Sequence, residues 1–501
     1  MNHLNHLIAV NMGIDTHQEP VIYVRKDSHV CRAEGFNASS RVLVECQGQQ
    51  LLATMNMVES EVLQQNQIGF SLIAMKRLDI NAGDSVTIKH APVIESLGLV
   101  RKKVYGFELS ELEIARIVED ITNYRYSDIE IASFLTVSAG KRLSLPEIIG
   151  LTRAMVSCGN RIVWEDEQRI FDKHCVGGLP GNRTTPLVVA IVSAAGLIIP
   201  KTSSRAITSP AGTADTMETL TEVNLELEQI REVVKSTGAC LAWGGAAELS
   251  PADDVLIRIE RALDIDGEGQ LIASVLSKKV AAGSTHVLID IPVGDTAKVR
   301  SKQDAGRLVY LFEQVGQALG IHVRVIVTDG SKPIGFGIGP VAEAQDILAI
   351  LQGKPKAPPD LRERAILLAA ELLDMATGKG IESCRQQAVD LLDSGKAWEQ
   401  FQRIVTAQGG MKILPEPQYH DVLHSQKAGV IHAIDSRRLA KLAKLAGAPA
   451  EPSAGLKLMV NVGDVVKEGS PLFTLLTNSH GERSYALAYY DENQNIFDIR
   501  T

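Results

Sequence analysis

Short apolar runs separated by turn residues recur along the first part of the chain. They lie at 7–10, 21–24, 41–44, 69–74 and 84–88. Runs of this kind, bounded by glycine, asparagine, aspartate and proline, are typical of β-strands. We therefore predict a small β-barrel domain over residues 1–95.

The pattern becomes helical after this region. Ser110 and Glu113, and again Ser144 and Glu147, have the spacing of a capping box, in which serine and glutamate side chains satisfy the first N–H groups of a helix. Apolar residues then recur with the helical period. These features predict a helical lobe over residues 96–160, joined by residues 252–283.

Strand and helix patterns alternate from residue 161 onward. Strand patterns occupy 161–164, 197–199, 286–291 and 324–329, and a long helical pattern occupies 302–319. The alternation predicts a mixed, mostly parallel sheet covered by helices over residues 161–420, with ligands beyond the carboxyl ends of the strands. The Gly-x-Gly-x-Gly sequence that starts at Gly335 lacks the strand and acidic residue of a dinucleotide site, so we interpret it as a turn and a helix start.

Residues 421–501 contain glycine-bounded runs that resemble the sandwich-barrel hammerhead of biotinyl and lipoyl carriers. The lysine hairpin of such carriers is missing from the sequence. We predict a structural barrel-sandwich α+β domain that supports dimerisation, and hence a homo-oligomer. The whole chain is predicted to be an α/β protein with a separate helical lobe and these two added terminal domains.

Composition narrows the class of protein. A chain of 501 residues is too long to fold around a single hydrophobic core. Its composition, 45% hydrophobic and 22% charged residues, is typical of folded domains. The formal charge of -9 argues against nucleic acid as a partner. The six cysteines include no C-x-x-C pair, and the N-terminus has neither a leader pattern nor a long apolar stretch. We expect a cytoplasmic protein with free thiols and no membrane partner.

Two loops rich in glycine, serine and threonine flank one apolar run. The first loop, 173–185, ends where Pro186 fits the first turn of a helix, and the second, 202–213, leads to another helix start at 214–218. Helix N-termini attract phosphate groups. The basic side chains of the two loops are Lys173, Arg183 and Arg205. We predict a phosphate site here, with ordinary strand-to-helix turns as the alternative.

The loop residues resemble the signature of the thymidine and pyrimidine-nucleoside phosphorylase family, K-H-S-x-G-G followed by S-x-R…G-T-x-D. The matching residues are Lys173, His174, Gly177, Gly178, Ser203, Arg205, Gly212, Thr213 and Asp215. The longer form found here, in segments 180–184 and 203–215, is closer to the AMP phosphorylase subgroup. Members of that subgroup carry an added N-terminal domain.

The resemblance implies phosphate contacts on both loops, at Lys173, Gly178, Ser203 and Thr213. It further implies phosphate or substrate contacts at Ser204, Arg205, Ala206, Ile207, Thr208 and Ser209. Cys175 departs from the family pattern, which has a serine there, and a thiol is a weaker hydrogen-bond donor. Thr184 and Thr185 are equal candidates for the missing hydroxyl contact.

Two residues compete for protonation of the departing base. His174 matches the family histidine near the base carbonyl and belongs to a residue type that titrates near neutrality, although it could equally only orient phosphate. Asp266 matches the acid of AMP phosphorylases. To be protonated at neutral pH it needs a pKa raised by burial or by Asp264, and the alternative is a helix-start carboxylate.

Further substrate contacts are implied after this acid. Ser274 and Lys278 lie four residues apart, on one face of a helix, and resemble the S-x-x-x-K that holds the base in pyrimidine phosphorylases. Arg258 and Arg261 straddle the position of the family's partner arginine. Lys298 matches a substrate-binding lysine that would suit a 5′-phosphate, and an exposed loop lysine is the alternative interpretation.

Together these features predict a pentosyltransferase. It would use inorganic phosphate to cleave thymidine-type nucleosides or AMP-type nucleoside 5′-monophosphates, with no metal and no organic cofactor. Two alternatives stay open. One is an anthranilate-type phosphoribosyltransferase, with Asp253 and Asp254 as the acidic pair for Mg²⁺-diphosphate. The other is a nucleotide-binding regulator without activity, suggested by Cys175.

Overall fold

The structure is a computed structural model that describes residues 6–164, 169–177, 179–206, 209–265 and 267–500. Predicted site residues outside these ranges are Gly178, Ile207, Thr208 and Asp266. The chain divides into two compact units. The first comprises Met1–Arg142 and Arg258–Ile265, and the second comprises Leu143–Ile257 and Asp266–Thr501.

The first unit contains a closed β-barrel with the strand order β1-β5-β2-β4-β3-β6. Its strands are β1 (His6–Asn11), β2 (Val21–Arg25), β3 (Ser40–Cys46), β4 (Gln49–Val58), β5 (Gln67–Phe70) and β6 (Ser85–His90). Side chains alternate across a strand, so every second residue faces the barrel core, as Val42, Val44 and Cys46 do in β3. The predicted small barrel is confirmed.

Two short helices lie between strands of the barrel, and three longer helices follow it. The first unit contains α1 (His29–Glu34), α2 (Leu72–Leu78), α3 (Leu97–Val104), α4 (Glu111–Thr122) and α5 (Asp128–Ser138). The predicted capping box of Ser110 and Glu113 is present at the start of α4. Ser127 and Glu130 form the same arrangement at α5. The helical pattern predicted for this stretch is confirmed.

Two predictions in the barrel region are wrong in detail. The run 69–74 is not one strand, because β5 ends at Phe70 and the side chain of Ser71 caps α2 by accepting from the backbone N–H of Ala74. A short apolar run fits a strand and a helix equally well. The sequence pattern also missed the ten-residue strand β4.

The second unit carries the α/β part of the chain. Its elements are α6 (Leu145–Ser157), β7 (Phe171–Cys175), α7 (Thr184–Ala194), β8 (Ile199–Ser203), α8 (Thr213–Glu218), α9 (Leu227–Thr237), β9 (Ala239–Trp243), α10 (Pro251–Leu263), α11 (Glu268–Ala281), β10 (His286–Val293), α12 (Lys302–Ala318), β11 (His322–Asp329), β12 (Gly337–Ile338), α13 (Pro340–Leu351), α14 (Pro359–Thr377), α15 (Ile381–Asp393) and α16 (Lys396–Ala407). The last residues of α10 belong to the first unit.

The strands β7 to β11 pair in parallel, as predicted. One sheet has the order β11-β10-β7, another joins β8 to β9, and a parallel bridge between Ile170 and Ile198 connects the segments that precede β7 and β8. Helix α7 is buried from Thr184 to Ser193 and lies in the core of this part. The mostly parallel α/β class is therefore confirmed.

Two local predictions in this part need correction. Segment 161–164 forms no strand, and the N–H of Ile162 bonds to the carbonyl of the last residue of α11 at 2.8 Å. The sequence that starts at Gly335 contains β12, which pairs antiparallel with a C-terminal strand, before the predicted helix, α13, begins at Pro340. Both differences depend on partners far along the chain.

The C-terminal region is antiparallel, as expected for an α+β end. It contains β13 (Tyr419–His424), β14 (Gly429–Ile434), α17 (Ser436–Leu445), β15 (Gly455–Leu458), β16 (Val465–Val466), β17 (Pro471–Thr477), α18 (His480–Glu492) and β18 (Phe497–Arg500). The sheets have the orders β12-β15-β17-β13 and β16-β14-β18. Among the described helices, none is long and apolar enough to cross a lipid bilayer. The four domain boundaries stay a prediction.

Candidate active site

The carboxyl ends of β7, β8 and β10 lie at one edge of the α/β part. β7 pairs with β10 as far as Cys175 and Asp290, and β8 packs beside β7. Lys173 and His174 lie on β7, and Ser203 ends β8. Because carboxyl ends of parallel strands share an edge, the structure brings the first residues of the two predicted loops together.

The ammonium group of Lys173 is buried and forms no ion pair with a carboxylate of the described residues. Its exposed fraction is 0%, and Nζ donates a hydrogen bond to Thr184 Oγ1 at 2.7 Å. Thr184 is the first residue of α7. Burial lowers the pKa of Lys173, while Cys175 and Asp290 raise it. A buried cation beside a helix N-terminus favours an anion.

One arginine ties the two loops together. The Nη1 atom of Arg183 donates to Thr213 Oγ1 at 3.0 Å, and Nη2 donates to the carbonyl of Ala211 at 2.6 Å. Its Nε donates to Glu343 Oε2 at 2.6 Å, and the buried Glu343 also accepts from Thr216 Oγ1 at 3.3 Å. Arg183 therefore fixes the distance between the N-termini of α7 and α8.

A carboxylate near the start of α8 closes the second loop. Asp215 Oδ2 accepts from the backbone N–H of Ala206 at 2.6 Å and from that of the helix N-cap at 2.8 Å. Arg205 pairs with Glu218 at 2.8 Å and lies over the ring of Trp243 at 4.7 Å. Its Nη1 atom is also 3.4 Å from Asp215 Oδ1. Arg205 is thus ion-paired with two acidic side chains of α8.

The other predicted contacts of the second loop differ in their surroundings. The hydroxyl oxygen of Ser203 is buried and has no hydrogen-bond partner within the described part of the chain. Ser204 is exposed, and Ser209 Oγ donates to the carbonyl of Ala211 at 2.9 Å. The predicted contacts outside the described residues are Gly178, Ile207 and Thr208. Ser203 therefore retains its hydrogen-bonding capacity for a ligand.

Helix α11 carries Ser274 and Lys278, both half-buried and four residues apart, as predicted. The Nζ atom of Lys278 is ion-paired with the buried Asp253 of α10. Arg258 forms two hydrogen bonds with Asp128 of α5, at 2.6 and 2.7 Å. Asp253 therefore orients a predicted base contact. The guanidinium group of Arg258 is already bound to a carboxylate of α5.

The remaining predicted residues lie after β10 and before α11. Lys298 is exposed on the loop that follows β10. Because β10 pairs in parallel with β7, this loop leaves the sheet at the same edge as the loop of Lys173. The predicted acid, Asp266, lies outside the described residues.

Burial makes the uncharged forms of His174 and Cys175 the stable ones. Burial lowers the pKa of His174 well below its usual 6.5, and Lys279 and Lys201 lower it further. Burial, together with Asp290, raises the pKa of the Cys175 thiol to about 12. At neutral pH the site thus holds a neutral imidazole and a protonated thiol, which can donate only a weak hydrogen bond.

Sequence reasoning did not indicate Glu343 as a residue of this site. Its partner Arg183 lies 160 positions earlier in the chain. An acidic residue inside the otherwise apolar stretch at the start of α13 is the signal that could have found it. Within the described ranges, no group of three or more His, Cys, Asp or Glu side chains is placed to hold a metal ion.

Comparison with known proteins defines the class to which this fold and site belong. Residues 98–159 match the model of a glycosyl transferase family helical bundle domain, and residues 167–398 match that of a glycosyl transferase family α/β domain. A third model, the pyrimidine nucleoside phosphorylase C-terminal domain, matches residues 430–497. The class is thus a glycosyl transferase with a helical bundle and an α/β domain.

Relatives similar over nearly the whole length identify the family within this class. "Putative thymidine phosphorylase" from Ralstonia nicotianae is 53% identical over 95% of this chain and 94% of its own length. "Putative thymidine phosphorylase 2" from Acidovorax sp. (strain JS42) is 51% identical over 99% of this chain and 96% of its own. The chain belongs to the thymidine and pyrimidine-nucleoside phosphorylase family, a family of pentosyltransferases.

A solved structure shares the fold. The crystal structure of anthranilate phosphoribosyltransferase from Thermus thermophilus has a TM-score of 0.52 and 19% sequence identity. The similarity covers 62% of this chain and 99% of that one. At this identity the likeness shows a common fold and says nothing about the substrate.

Proposed function

We propose that this protein is a nucleoside or nucleotide phosphorylase. An oxygen of inorganic phosphate attacks the anomeric carbon of the pentose, and the bond from that carbon to the base nitrogen breaks. The bonding electron pair leaves with the base, which takes up a proton. The products are the free base and (deoxy)ribose 1-phosphate, or ribose 1,5-bisphosphate from a nucleoside 5′-monophosphate. Family membership supports this reaction class.

The buried ammonium group of Lys173, which forms no ion pair with a carboxylate of the described residues, carries the proposal. In a low-dielectric environment an ammonium group without a direct ion pair is unfavourable, and a phosphate oxygen would supply that pair. An anion beside Lys173 would also raise its pKa and so hold its proton. The hydrogen bond to Thr184 orients the amine at the start of α7, where backbone N–H groups of the helix can share the same phosphate.

The second loop completes the proposed phosphate site. The Ser203 hydroxyl, which has no partner among the described residues, donates to a phosphate oxygen. The hydroxyl of Thr213 accepts from Arg183 and therefore has its own hydrogen free to point at phosphate. In this assignment Arg183 and Arg205 shape the loops, since both are already engaged by carboxylates.

Protonation of the departing base is assigned to Asp266, with His174 as a neutral hydrogen-bond partner. The lowered pKa of His174 makes the imidazolium form scarce at neutral pH, which weakens its case as the acid. Ser274 and Lys278 hold the edge of the base, and Asp253 keeps Lys278 in place. No metal and no organic cofactor enter this scheme.

We consider two substrate classes. The long loop form and the exposed Lys298, at the same sheet edge as Lys173, favour a nucleoside 5′-monophosphate of the AMP type. The names of the relatives favour thymidine. We favour the nucleotide, because Lys298 would pair with a 5′-phosphate that thymidine lacks.

Separation of the free base by chromatography tests the proposal. Purified protein is incubated with phosphate and, in turn, AMP, CMP, thymidine and uridine. Base release that requires phosphate supports the phosphorylase, and the preferred substrate settles the choice between nucleotide and nucleoside. Lys298→Ala should raise the KM for AMP and leave the KM for thymidine unchanged.

The same assay separates the alternatives. Turnover that needs phosphoribosyl diphosphate and Mg²⁺ would indicate the phosphoribosyltransferase, for which Asp253 and Asp254 were considered; the ion pair of Asp253 with Lys278 weighs against that role. Tight nucleotide binding without turnover would indicate the inactive regulator. Either result would overturn the phosphorylase proposal.

A further inference from the structure

Asp172 is a fully buried carboxylate that directly precedes Lys173, the first residue of the proposed phosphate site, on β7. Its Oδ1 atom lies 3.3 Å from Nζ of Lys201, and its Oδ2 atom lies 2.7 Å from Nζ of Lys279. Both lysines are buried as well. Burying three ionisable side chains costs desolvation energy, so stability alone is a weak explanation for this cluster.

The three side chains come from three elements that carry predicted ligand contacts. Asp172 lies on β7, Lys201 on β8 and Lys279 on α11. The amino groups of the two lysines converge on one backbone carbonyl, because Nζ of Lys201 donates to the oxygen of Thr202 at 2.7 Å and Nζ of Lys279 donates to it at 3.4 Å. Thr202 directly precedes Ser203. The cluster therefore fixes the point from which the second loop departs.

We propose that Asp172, Lys201 and Lys279 form a positioning cluster that sets the spacing between the phosphate contacts and the base contacts. The inference rests on the proposed phosphorylase function. Asp172 and Lys279 each position the residue next to them in the chain. Asp172 precedes the phosphate contact Lys173 on β7, and Lys279 follows the base contact Lys278 on α11. The cluster thus holds the strand, the loop and the helix in one fixed arrangement.

The charge of the cluster supports the same role. The Nζ atoms of two lysines face the single carboxylate of Asp172, so whenever both lysines are protonated the interior behind the site carries one uncompensated positive charge, which solvent ions screen only weakly. Burial and the neighbouring Lys201 lower the pKa of Lys279, whereas Asp172 raises it. An anion bound at the first and second loops would relieve this excess. The cluster therefore favours phosphate binding by position and by charge.

Lys201→Met tests the proposal, because it removes one ammonium group and leaves the pair of Asp172 and Lys279 intact. We expect the Kd for inorganic phosphate, measured by calorimetry, and the KM for phosphate to rise about tenfold, which corresponds to about 1.4 kcal/mol. The KM for the nucleoside or nucleotide should change much less. Lys201→Arg keeps the charge and the donors, and it should restore most of the phosphate affinity.

Lys354→Met is the matched control, since it removes an exposed lysine of the same unit. It should leave phosphate binding and turnover unchanged. Should Lys201→Met fail to fold, Lys201→Gln, whose amide can still donate to the carbonyl of Thr202, is judged by the same criteria.

Unchanged phosphate affinity in Lys201→Met, or an equal loss in the control, would overturn the positioning role. The proposed function and the positioning role can be contradicted independently. Wild-type protein that binds phosphate but releases no base would contradict the proposed function, while the calorimetric comparison would still decide the role of the cluster. Wild-type protein that binds no phosphate would overturn both.

Discussion

The buried ion pair of Arg183 and Glu343 allows a quantitative test of the loop geometry. Arg183→Met removes hydrogen bonds of 2.6, 3.0 and 2.6 Å and leaves the Glu343 carboxylate, which is 1% exposed, without its cation. Removing one partner of a buried ion pair costs about 3–5 kcal/mol. We therefore expect the free energy of unfolding of the second unit to fall by about this amount.

The double variant separates the ion pair from its other effects. Glu343→Gln should cost about 1–3 kcal/mol, because Arg183 keeps its contacts with Thr213 and the carbonyl of Ala211. In Arg183→Met combined with Glu343→Gln no buried charge is left unpaired. The double variant should lose less free energy of unfolding than the two single variants lose together, by about 1.5–3 kcal/mol.

Urea denaturation followed by tryptophan fluorescence measures these free energies. The three tryptophans, Trp164, Trp243 and Trp398, all lie in the second unit, so the signal reports the unit that contains the ion pair. Lys354→Met serves again as the control. If the loss in the double variant equals the sum of the two single losses within about 0.5 kcal/mol, Arg183 and Glu343 are not energetically coupled and the reasoning is refuted.

Three further predictions concern single residues of the site. Lys173→Ala should abolish phosphorolysis while far-UV circular dichroism stays unchanged; retained turnover would contradict its phosphate role. Folding lowers the pKa of His174 below its usual 6.5. As the pH falls through about 6.5, the unfolded chain therefore takes up a proton at His174 and the folded chain does not. The free energy of unfolding decreases on acidification for this reason. His174→Gln should flatten that decrease between about pH 7 and 5 in thermal melts, and an identical slope would count against the burial of this imidazole. Asp215→Asn should cost about 1.5–3 kcal/mol and raise the KM for phosphate, because the amide replaces an anion that accepts two backbone N–H groups; a wild-type KM would exclude a role in loop closure.

The sequence by itself determined the family, the fold class and many of the strands and helices. Alternating apolar runs indicate the barrel strands, and the capping box at Ser110 marks a helix start that the structure reproduces. The glycine and hydroxyl pattern of the two loops identified the family and predicted a phosphate site there, whereas only the structure shows that Lys173 lies within β7 and that Ser203 ends β8. Such features depend on residues close together in the chain, and local sequence records them directly.

The tertiary structure alone decided how those residues are held. The partner of Arg183 is 160 positions away, and Asp172 meets Lys279 from another element, so no periodicity or short motif could indicate either pair. The same holds for segment 161–164, which looked like a strand but bonds to the end of a helix. Burial and charge pairing are properties of the folded chain. For that reason the loops were predictable, whereas the ion pairs that fix their spacing were not.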